Sequence, residues 1–222
     1  MNKRYDILQS ISQGKDGTLS KENEDLVHIA NVIAGGTTRG RANEAEPCSG
    51  SDNGGASLNE QEQRRAEHWA KQHDCWIPME DIFQLGSPGP SGSESDTYLA
   101  EEGYIYKTNN LMHCGGSIFL ALKKFIDYNS IFPDSAYTFV GFAGFDGRSV
   151  YPVVRQRYIK KSVPATQNEI DCYMAALGFT KDDVGKYHNE RYSVSDVLPK
   201  NVLKDTTGDF FVIDVEIQSA LS

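Results

Sequence analysis

The sequence predicts an α+β fold, because helical and strand-like patterns alternate along its 222 residues. The clearest helical pattern follows Thr166 and Glu169, which form a capping box ahead of an apolar stripe that ends at Gly178. The clearest strand signal is a hairpin in which two apolar runs, 202–203 and 210–213, flank a turn of Asp, Thr and Gly residues. An apolar content of 39% is sufficient for a hydrophobic core.

The chain divides by composition into three parts. Residues 1–34 form an N-terminal segment with one short helix predicted after Ser20, because Leu26, Ile29 and Ile33 share one helical face. Residues 35–57 contain no large apolar residue, so we expect a flexible linker there. A folded domain is then expected over 58–222.

The domain is predicted to begin with a helix near Asn59, which forms a capping pair with Glu62 and leads to about Gln72. A stretch rich in Gly, Ser and Pro follows and contains Gly92. Two apolar runs separated by Glu101-Glu102-Gly103 then predict a hairpin.

The second strand of this hairpin carries Lys107. Ile105 and Lys107 lie on the same strand face, which directs the ammonium toward the inside of a small sheet. Burying an ammonium is costly without an anionic partner, so this placement favours a binding role. A solvated strand lysine is the alternative.

A helix is predicted after Ser117, because Ile118, Leu122 and Phe125 recur at helical spacing. Its only carboxylate is Asp127, in the last turn. Two strands are predicted next, over 137–142 and 150–159.

Three oxygen-bearing side chains accompany the last hairpin: Asp196, Asn201 and Asp214. Asn201 and Asp214 stand at strand ends on opposite sides of one turn, where they could share a Mg²⁺ ion. Each residue taken singly also has a simpler interpretation, since Asp and Asn are common in turns.

The spacing Asp-x-x-x-x-Asn, followed by an apolar strand that ends in Asp, resembles the catalytic loop and metal-binding Asp of protein kinases. More narrowly, the chain resembles the kinase-like domains of polyvalent proteins from phages and conjugative elements, over about Trp69 to Ile217. The resemblance implies a protein-kinase-like fold. Its small antiparallel-sheet N-lobe would span about 80–158, and a reduced, minimal C-lobe about 159–222.

The resemblance also implies a role for each candidate site residue. Asp196 would be the catalytic base, Lys107 would contact the α and β phosphates of ATP, and Asn201 and Asp214 would hold Mg²⁺. A loop containing Gly92 would cover the phosphates. The adenine would lie against a hinge formed by Gln156, Arg157 and Tyr158.

The expected activity is ATP- and Mg²⁺-dependent phosphoryl transfer to a partner protein, to the chain itself or to a small molecule. Three sequence features depart from the kinase pattern. Val194-Ser195 replaces His-Arg before the catalytic Asp, Val215-Glu216 replaces Phe-Gly after the metal Asp, and the helix after Ser117 lacks a Glu to pair with Lys107. Asp127 or Glu94 could replace that partner, or the pair could be absent.

These departures leave two alternatives open. The first is a catalytically idle nucleotide-binding or interaction module of a mobile element. The second is an unrelated α+β binding domain.

Charge and composition limit the classes of partner and of site that we expect for this chain. A net charge of −9 and a pI near 5.0 argue against nucleic-acid binding, since nucleic-acid-binding domains usually carry a net positive charge. No long apolar run predicts a membrane span. The four cysteines are dispersed without a C-x-x-C pair: Cys48, Cys75, Cys114 and Cys172. Neither a zinc cluster nor a disulfide framework is therefore indicated, and a cytoplasmic location is expected.

Overall fold

A computed structural model describes residues 20–35 and 56–219. Each helix within these ranges begins after a Ser or Thr whose side chain accepts a hydrogen bond from the backbone N–H three residues later. The combination of helices and sheets confirms the α+β class. The helices are α1 (Lys21–Ile33), α2 (Leu58–Gln72), α3 (Ile118–Ile131) and α4 (Gln167–Ala176).

The predicted cap of α2 is wrong by two residues. Ser57 and Glu60 form the capping box, whereas Asn59 lies inside the helix and donates from Nδ2 to the Gly115 carbonyl at 2.8 Å. Glu62 is fully buried and accepts hydrogen bonds from the Ser117 hydroxyl and the Phe119 N–H. The sequence pair was misleading because Glu62 caps α3 rather than its own helix.

The main sheet has six strands in the order β1-β5-β6-β4-β3-β2. Its neighbouring strands are antiparallel except β1, which pairs in parallel with β5, so the sheet is mixed where an antiparallel one was expected. The predicted hairpin at Glu101–Gly103 is the turn between β3 and β4. The strands are β1 (Trp76–Pro78), β2 (Ser87–Pro88), β3 (Ser95–Leu99), β4 (Tyr104–Asn109), β5 (Thr138–Phe145) and β6 (Ser149–Arg157).

Two smaller sheets follow in the chain, in the orders β13-β10-β9-β8 and β12-β11-β7. The antiparallel pair β11–β12 confirms the hairpin predicted from the apolar runs. The pair β8–β9 and strand β13 carry weak apolar patterns and were not predicted. The strands are β7 (Val163–Pro164), β8 (Thr180–Asp183), β9 (Lys186–His188), β10 (Tyr192–Ser195), β11 (Val202–Lys204), β12 (Phe210–Val212) and β13 (Glu216–Ser219).

Helix α3 lies at the centre of the core. It is buried along most of its length, and α1 packs against it through apolar residues that include Leu26 and Ile29. Asn23 of α1 also donates from Nδ2 to the Ile126 carbonyl and to the Ser130 hydroxyl. Helix α1 therefore shares one core with the later elements.

The expected division of the chain into segment, linker and two-lobed domain remains a prediction. Most of the predicted linker, residues 36–55, lies outside the described residues. Among the helices that are described, none has the length and apolar character needed to cross a membrane.

Candidate active site

A cavity of about 180 Å³ lies between the main sheet, α3 and the segment that joins β12 to β13. Four of the residues singled out in the sequence line it, although they come from four separate parts of the chain. The lining includes Gly92, Lys107, Asp196 and Asp214, together with Glu94 and Lys124. Tertiary structure thus brings a loop glycine, a strand lysine and two carboxylates to one place.

The loop over the cavity, residues 89–94, connects β2 to β3 and is called the glycine loop here. The strand β2 that precedes this loop begins directly after Gly86, which has φ +147° and whose added Cβ would lie 2.4 Å from the Leu99 carbonyl oxygen. Gly92 has no such restriction, because a Cβ there would meet no atom within 4 Å. The Gly92 N–H donates to the Ser95 carbonyl at 3.0 Å, which closes the loop.

Lys107 projects from β4 toward α3, on the face that strand alternation predicts. Its Nζ donates to the Tyr137 hydroxyl at 3.0 Å and to the Ile213 carbonyl at 2.9 Å. Desolvation lowers the pKa of Lys107, although the negative charges of Asp214 and Glu94 act in the opposite direction. The ammonium is therefore held in a partly desolvated position that a bound anion would stabilise.

Neither carboxylate considered as a partner of Lys107 forms that pair. Asp127 Oδ2 accepts from Lys123 Nζ at 2.8 Å, and Glu94 Oε1 accepts from Lys124 Nζ at 2.7 Å. Within residues 20–35 and 56–219, Lys107 has hydrogen bonds but no ion pair. The structure therefore agrees with the third alternative, in which Lys107 has no carboxylate partner, as far as the described residues extend.

Asp196 directly follows β10 and has a backbone φ of +60°, a left-handed conformation that Asp tolerates better than most residues. Its Oδ2 accepts from Asn201 Nδ2 at 2.8 Å and lies 3.0 Å from Lys200 Nζ. The same Asn201 amide donates to the Asp196 carbonyl at 2.8 Å. The five-residue spacing thus closes a compact loop that fixes the Asp196 side chain.

Asp214 and Asn201 lie at the same end of the β11–β12 hairpin, because Val202 pairs with Val212 and the Ile213 N–H donates to the Asn201 carbonyl at 2.9 Å. The Asp214 side chain is exposed to the cavity. Neither it nor the Asn201 Oδ1 has a hydrogen-bond partner in the part of the chain that the structure describes. Carboxylate and amide oxygens are ligands that suit a hard divalent cation.

The sequence was also compared with models of known protein families. Residues 59–220 match the sequence model of the family described as Serine/Threonine/Tyrosine Kinase found in polyvalent proteins. The chain belongs to this family. A search of curated proteins found no match.

Membership of this kinase family implies a kinase-like function with ATP, an accompanying metal ion and a phosphate acceptor. The register Ser195↔Glu216 between β10 and β13 places Asp196, one residue after Ser195, beside the segment that begins at Asp214.

The three predicted hinge residues do not line this cavity. The Gln156 side chain is buried and donates to the Tyr128 hydroxyl and the Ser135 carbonyl. The Tyr158 N–H donates to the Gly103 carbonyl at 2.9 Å, which continues the β4–β6 pairing. Arg157 and Tyr158 line a second, separate cavity.

Sequence reasoning missed a cluster of titratable residues, of which Glu94, Lys124 and Glu216 line the cavity. His113 Nδ1 lies 2.6 Å from Glu94 Oε1, and Lys124 Nζ lies 2.7 Å from Glu94 Oε1 and 3.3 Å from Glu216 Oε2. Ligand atoms of His113, Glu94 and Glu216 fall within 4.8 Å of one another, as in a metal site. The ammonium of Lys124 already pairs with both carboxylates, and its single positive charge offsets one of their two negative charges. The helical pattern placed Lys124 on α3, but its partners are distant in sequence.

Proposed function

We propose that the chain is an ATP- and Mg²⁺-dependent phosphotransferase that acts on a Ser, Thr or Tyr hydroxyl. The convergence of Gly92, Lys107, Asp196 and Asp214 on one cavity is the observation that supports this proposal most directly. Phosphoryl transfer depends mainly on positioning and on neutralising charge, and these four groups can supply both.

Lys107 would bind the α and β phosphates. Its ammonium is held by two neutral oxygens, those of Tyr137 and Ile213, and lacks a carboxylate partner among the described residues. A phosphate oxygen would supply the missing negative charge and offset the desolvation of the ammonium. The glycine loop would cover the phosphates from the other side of the cavity.

Asp214 and the amide oxygen of Asn201 would hold Mg²⁺. When bound, the ion would supply positive charge that offsets the negative charge of the phosphates. The chain's own contribution is to keep these two oxygen ligands at one end of the β11–β12 hairpin. The bond from the Ile213 N–H to the Asn201 carbonyl maintains that arrangement.

Asp196 would be the catalytic base. Its Oδ2 is held by Asn201 and Lys200, while Oδ1 has no hydrogen-bond partner within the described ranges and would accept the proton of the acceptor hydroxyl. The hydroxyl oxygen would form a bond to the γ-phosphorus as the bond from that phosphorus to its bridging oxygen breaks. ADP would leave with the electron pair of the broken bond.

The adenine contact is proposed at the backbone rather than at the side chains of the hinge. The Tyr158 N–H is directed toward β4. Because strand backbone groups alternate in direction, the N–H and C=O of Arg157 face away from β4, past the end of β5. These two groups are the ones we propose for the adenine edge.

A second candidate is a nucleotide-binding module that transfers no phosphate. The absence of a carboxylate partner for Lys107 in the described part of the chain favours it, because that ion pair accompanies activity in protein kinases. Membership of a kinase family removes the other alternative, an unrelated α+β binding domain.

A thermal-shift titration tests the binding part of the proposal. Millimolar Mg-ATP should raise the melting temperature, because a ligand at about 100 times its Kd stabilises the folded state by about 2.7 kcal/mol. Asp214→Asn should remove the magnesium-dependent part of the shift. Asp134→Asn, at an exposed carboxylate outside the cavity, is the matched control and should preserve it.

Transfer is measured separately, as incorporation of labelled γ-phosphate into the chain or into added protein. Label incorporated by the parent but not by Asp196→Asn would support the enzyme. A thermal shift without any label would favour the idle module. No shift in the parent would contradict both.

A further inference from the structure

Helix α3 contains no glutamate, and it presents Lys124 to the cavity. Lys124 Nζ pairs with Glu94 of the glycine loop at 2.7 Å and with Glu216, the first residue of β13, at 3.3 Å. The Lys124 ammonium therefore connects three elements that border the cavity, which are α3, the glycine loop and β13. Glu216 comes two residues after Asp214, so this contact reaches close to the proposed metal ligand.

The pair is partly protected from solvent. The side chains of Lys124 and Glu94 each retain 24% exposure. Desolvation acts to lower the pKa of Lys124, but the hydrogen bond to Glu94 and the negative charges of Glu94 and Glu216 together outweigh it, so the pKa is raised. Desolvation likewise acts to raise the pKa of Glu94, but Lys124, Glu216 and His113 together outweigh it, so the pKa is lowered. Both partners are thus ionised at neutral pH, and the pair is less screened than one on the surface.

The neighbouring lysine attaches the other end of β13 to the same helix. Lys123 Nζ donates to Asp127 Oδ2 and to the Ser219 hydroxyl, each at 2.8 Å, in a buried position. Two consecutive lysines of α3 therefore hold the first and last residues of β13. Since β13 pairs with β10, which leads directly into Asp196, the position of α3 is linked to both catalytic carboxylates.

We propose that Lys124 is a positioning residue that sets the distance between the glycine loop and Asp214 through an ion pair of reversed polarity, with the cation on α3 and the carboxylates on the loop and β13. This inference rests on the proposed function. It also explains why Lys107 needs no carboxylate here, because the link between α3 and the site is made by Lys124 instead. The ammonium of Lys107 is then available to pair with the phosphates, whereas that of Lys124 pairs with Glu94 and Glu216.

The alternative is that Lys124 binds phosphate directly, and two variants separate the cases. If Lys124 acts through Glu94, Lys124→Gln and Glu94→Gln should both weaken Mg-ATP binding, and the double variant should be no weaker than either single one. If Lys124 contacts phosphate, Glu94→Gln should strengthen binding by freeing the cation. We expect each single variant to bind Mg-ATP roughly tenfold more weakly than the parent. This loss is larger than the effect of breaking an exposed ion pair and smaller than the effect of displacing a site residue by an ångström.

Hydrogen exchange gives a readout that does not depend on nucleotide. The Gly92 N–H donates to the Ser95 carbonyl, and the Asn110 N–H donates to the Glu94 carbonyl at 2.8 Å. Both amides should exchange faster in Lys124→Gln and in Glu94→Gln, and Lys124→Arg should restore the parent rate and affinity. Lys71→Gln is the control, because Lys71 also joins two carboxylates, Glu67 and Asp146, but lies outside the cavity.

The outcomes are distinct. Unchanged exchange at both amides in Lys124→Gln would overturn the inference whatever the nucleotide result. Stronger binding in Glu94→Gln would also overturn it, as would unchanged affinity of Lys124→Gln when the parent binds Mg-ATP. If the parent binds no Mg-ATP, the proposed function fails, while faster exchange in both variants with rescue by Lys124→Arg would still support the positioning role.

Discussion

The ammonium of Lys107 lies 2.9 Å from the backbone carbonyl of Ile213, the residue directly before Asp214. This contact joins β4 to the end of β12 across 106 positions of sequence. It brings the proposed phosphate-binding cation next to the residue that precedes the proposed metal ligand. The Tyr137 hydroxyl donates to the same carbonyl at 3.3 Å, so the carbonyl has two donors.

Lys107→Met should weaken Mg-ATP binding without destabilising the fold. Removing the ammonium removes its desolvation penalty, and the Ile213 carbonyl keeps the Tyr137 hydroxyl as a donor. A lost charged hydrogen bond of about 1.5–3 kcal/mol corresponds to roughly 10- to 100-fold in affinity. Calorimetric titration measures the affinity and thermal melting the stability. Lys186→Met, at an exposed strand lysine, should leave both unchanged, and equal binding by the two variants would contradict the role of Lys107.

Asp196→Asn should bind Mg-ATP nearly as well as the parent but transfer phosphate about 10²- to 10⁴-fold more slowly, the usual contribution of a general base. Asn is the suitable replacement because it tolerates the φ of +60° at this position better than Ala does. Single-turnover transfer from labelled ATP provides the measurement, with Asp134→Asn as the control. Transfer at the parental rate would show that Asp196 is not the base.

Leu26→Ala tests whether α1 belongs to the same folding unit as the kinase-family region. Leu26 is fully buried in the core shared with α3, so the substitution should lower the free energy of unfolding by about 2–5 kcal/mol in a single transition. Urea denaturation followed by Trp fluorescence measures this, since both tryptophans lie beyond α1. Leu58→Ala, at a leucine that is 51% exposed, should have a much smaller effect. An unchanged midpoint for Leu26→Ala would mean that α1 folds independently.

Asp171 should make the fold lose stability in acid. Hydrogen bonds from Lys181, Tyr187 and Gln167 lower its pKa to about 2. The unfolded chain has an ordinary aspartate pKa of about 3.9, so the stabilisation is complete above that pH and is lost as the pH falls toward 2. Melting temperatures measured from pH 5 to about pH 2 should fall less steeply for Asp171→Asn than for the parent. Identical slopes would exclude this contribution.

Local sequence determined most of the helices and hairpins. The cap Thr166 with Glu169 and the apolar spacing after Ser117 and Ser20 predicted α4, α3 and α1, because caps and amphipathic faces act within one or two helical turns. The turn between the two last apolar runs likewise predicted β11–β12. These interactions involve residues that are close in sequence, so they can be predicted without knowledge of the fold.

Tertiary structure decided how these elements meet. Glu62 was predicted to cap its own helix, but it caps α3. Lys124 lies within the helix predicted after Ser117, but its partners Glu94 and Glu216 lie far before and far after it in the sequence. The absence of a carboxylate beside Lys107, within the described residues, follows from those same distant pairings. Ion pairs and buried hydrogen bonds depend on which surfaces come within about 4 Å, and spacing along the chain does not encode that distance. The sequence by itself therefore determined the elements and the candidate residues Lys107, Asp196, Asn201 and Asp214, whereas only the packing of α3 against β13 and the glycine loop decided how their charges are balanced.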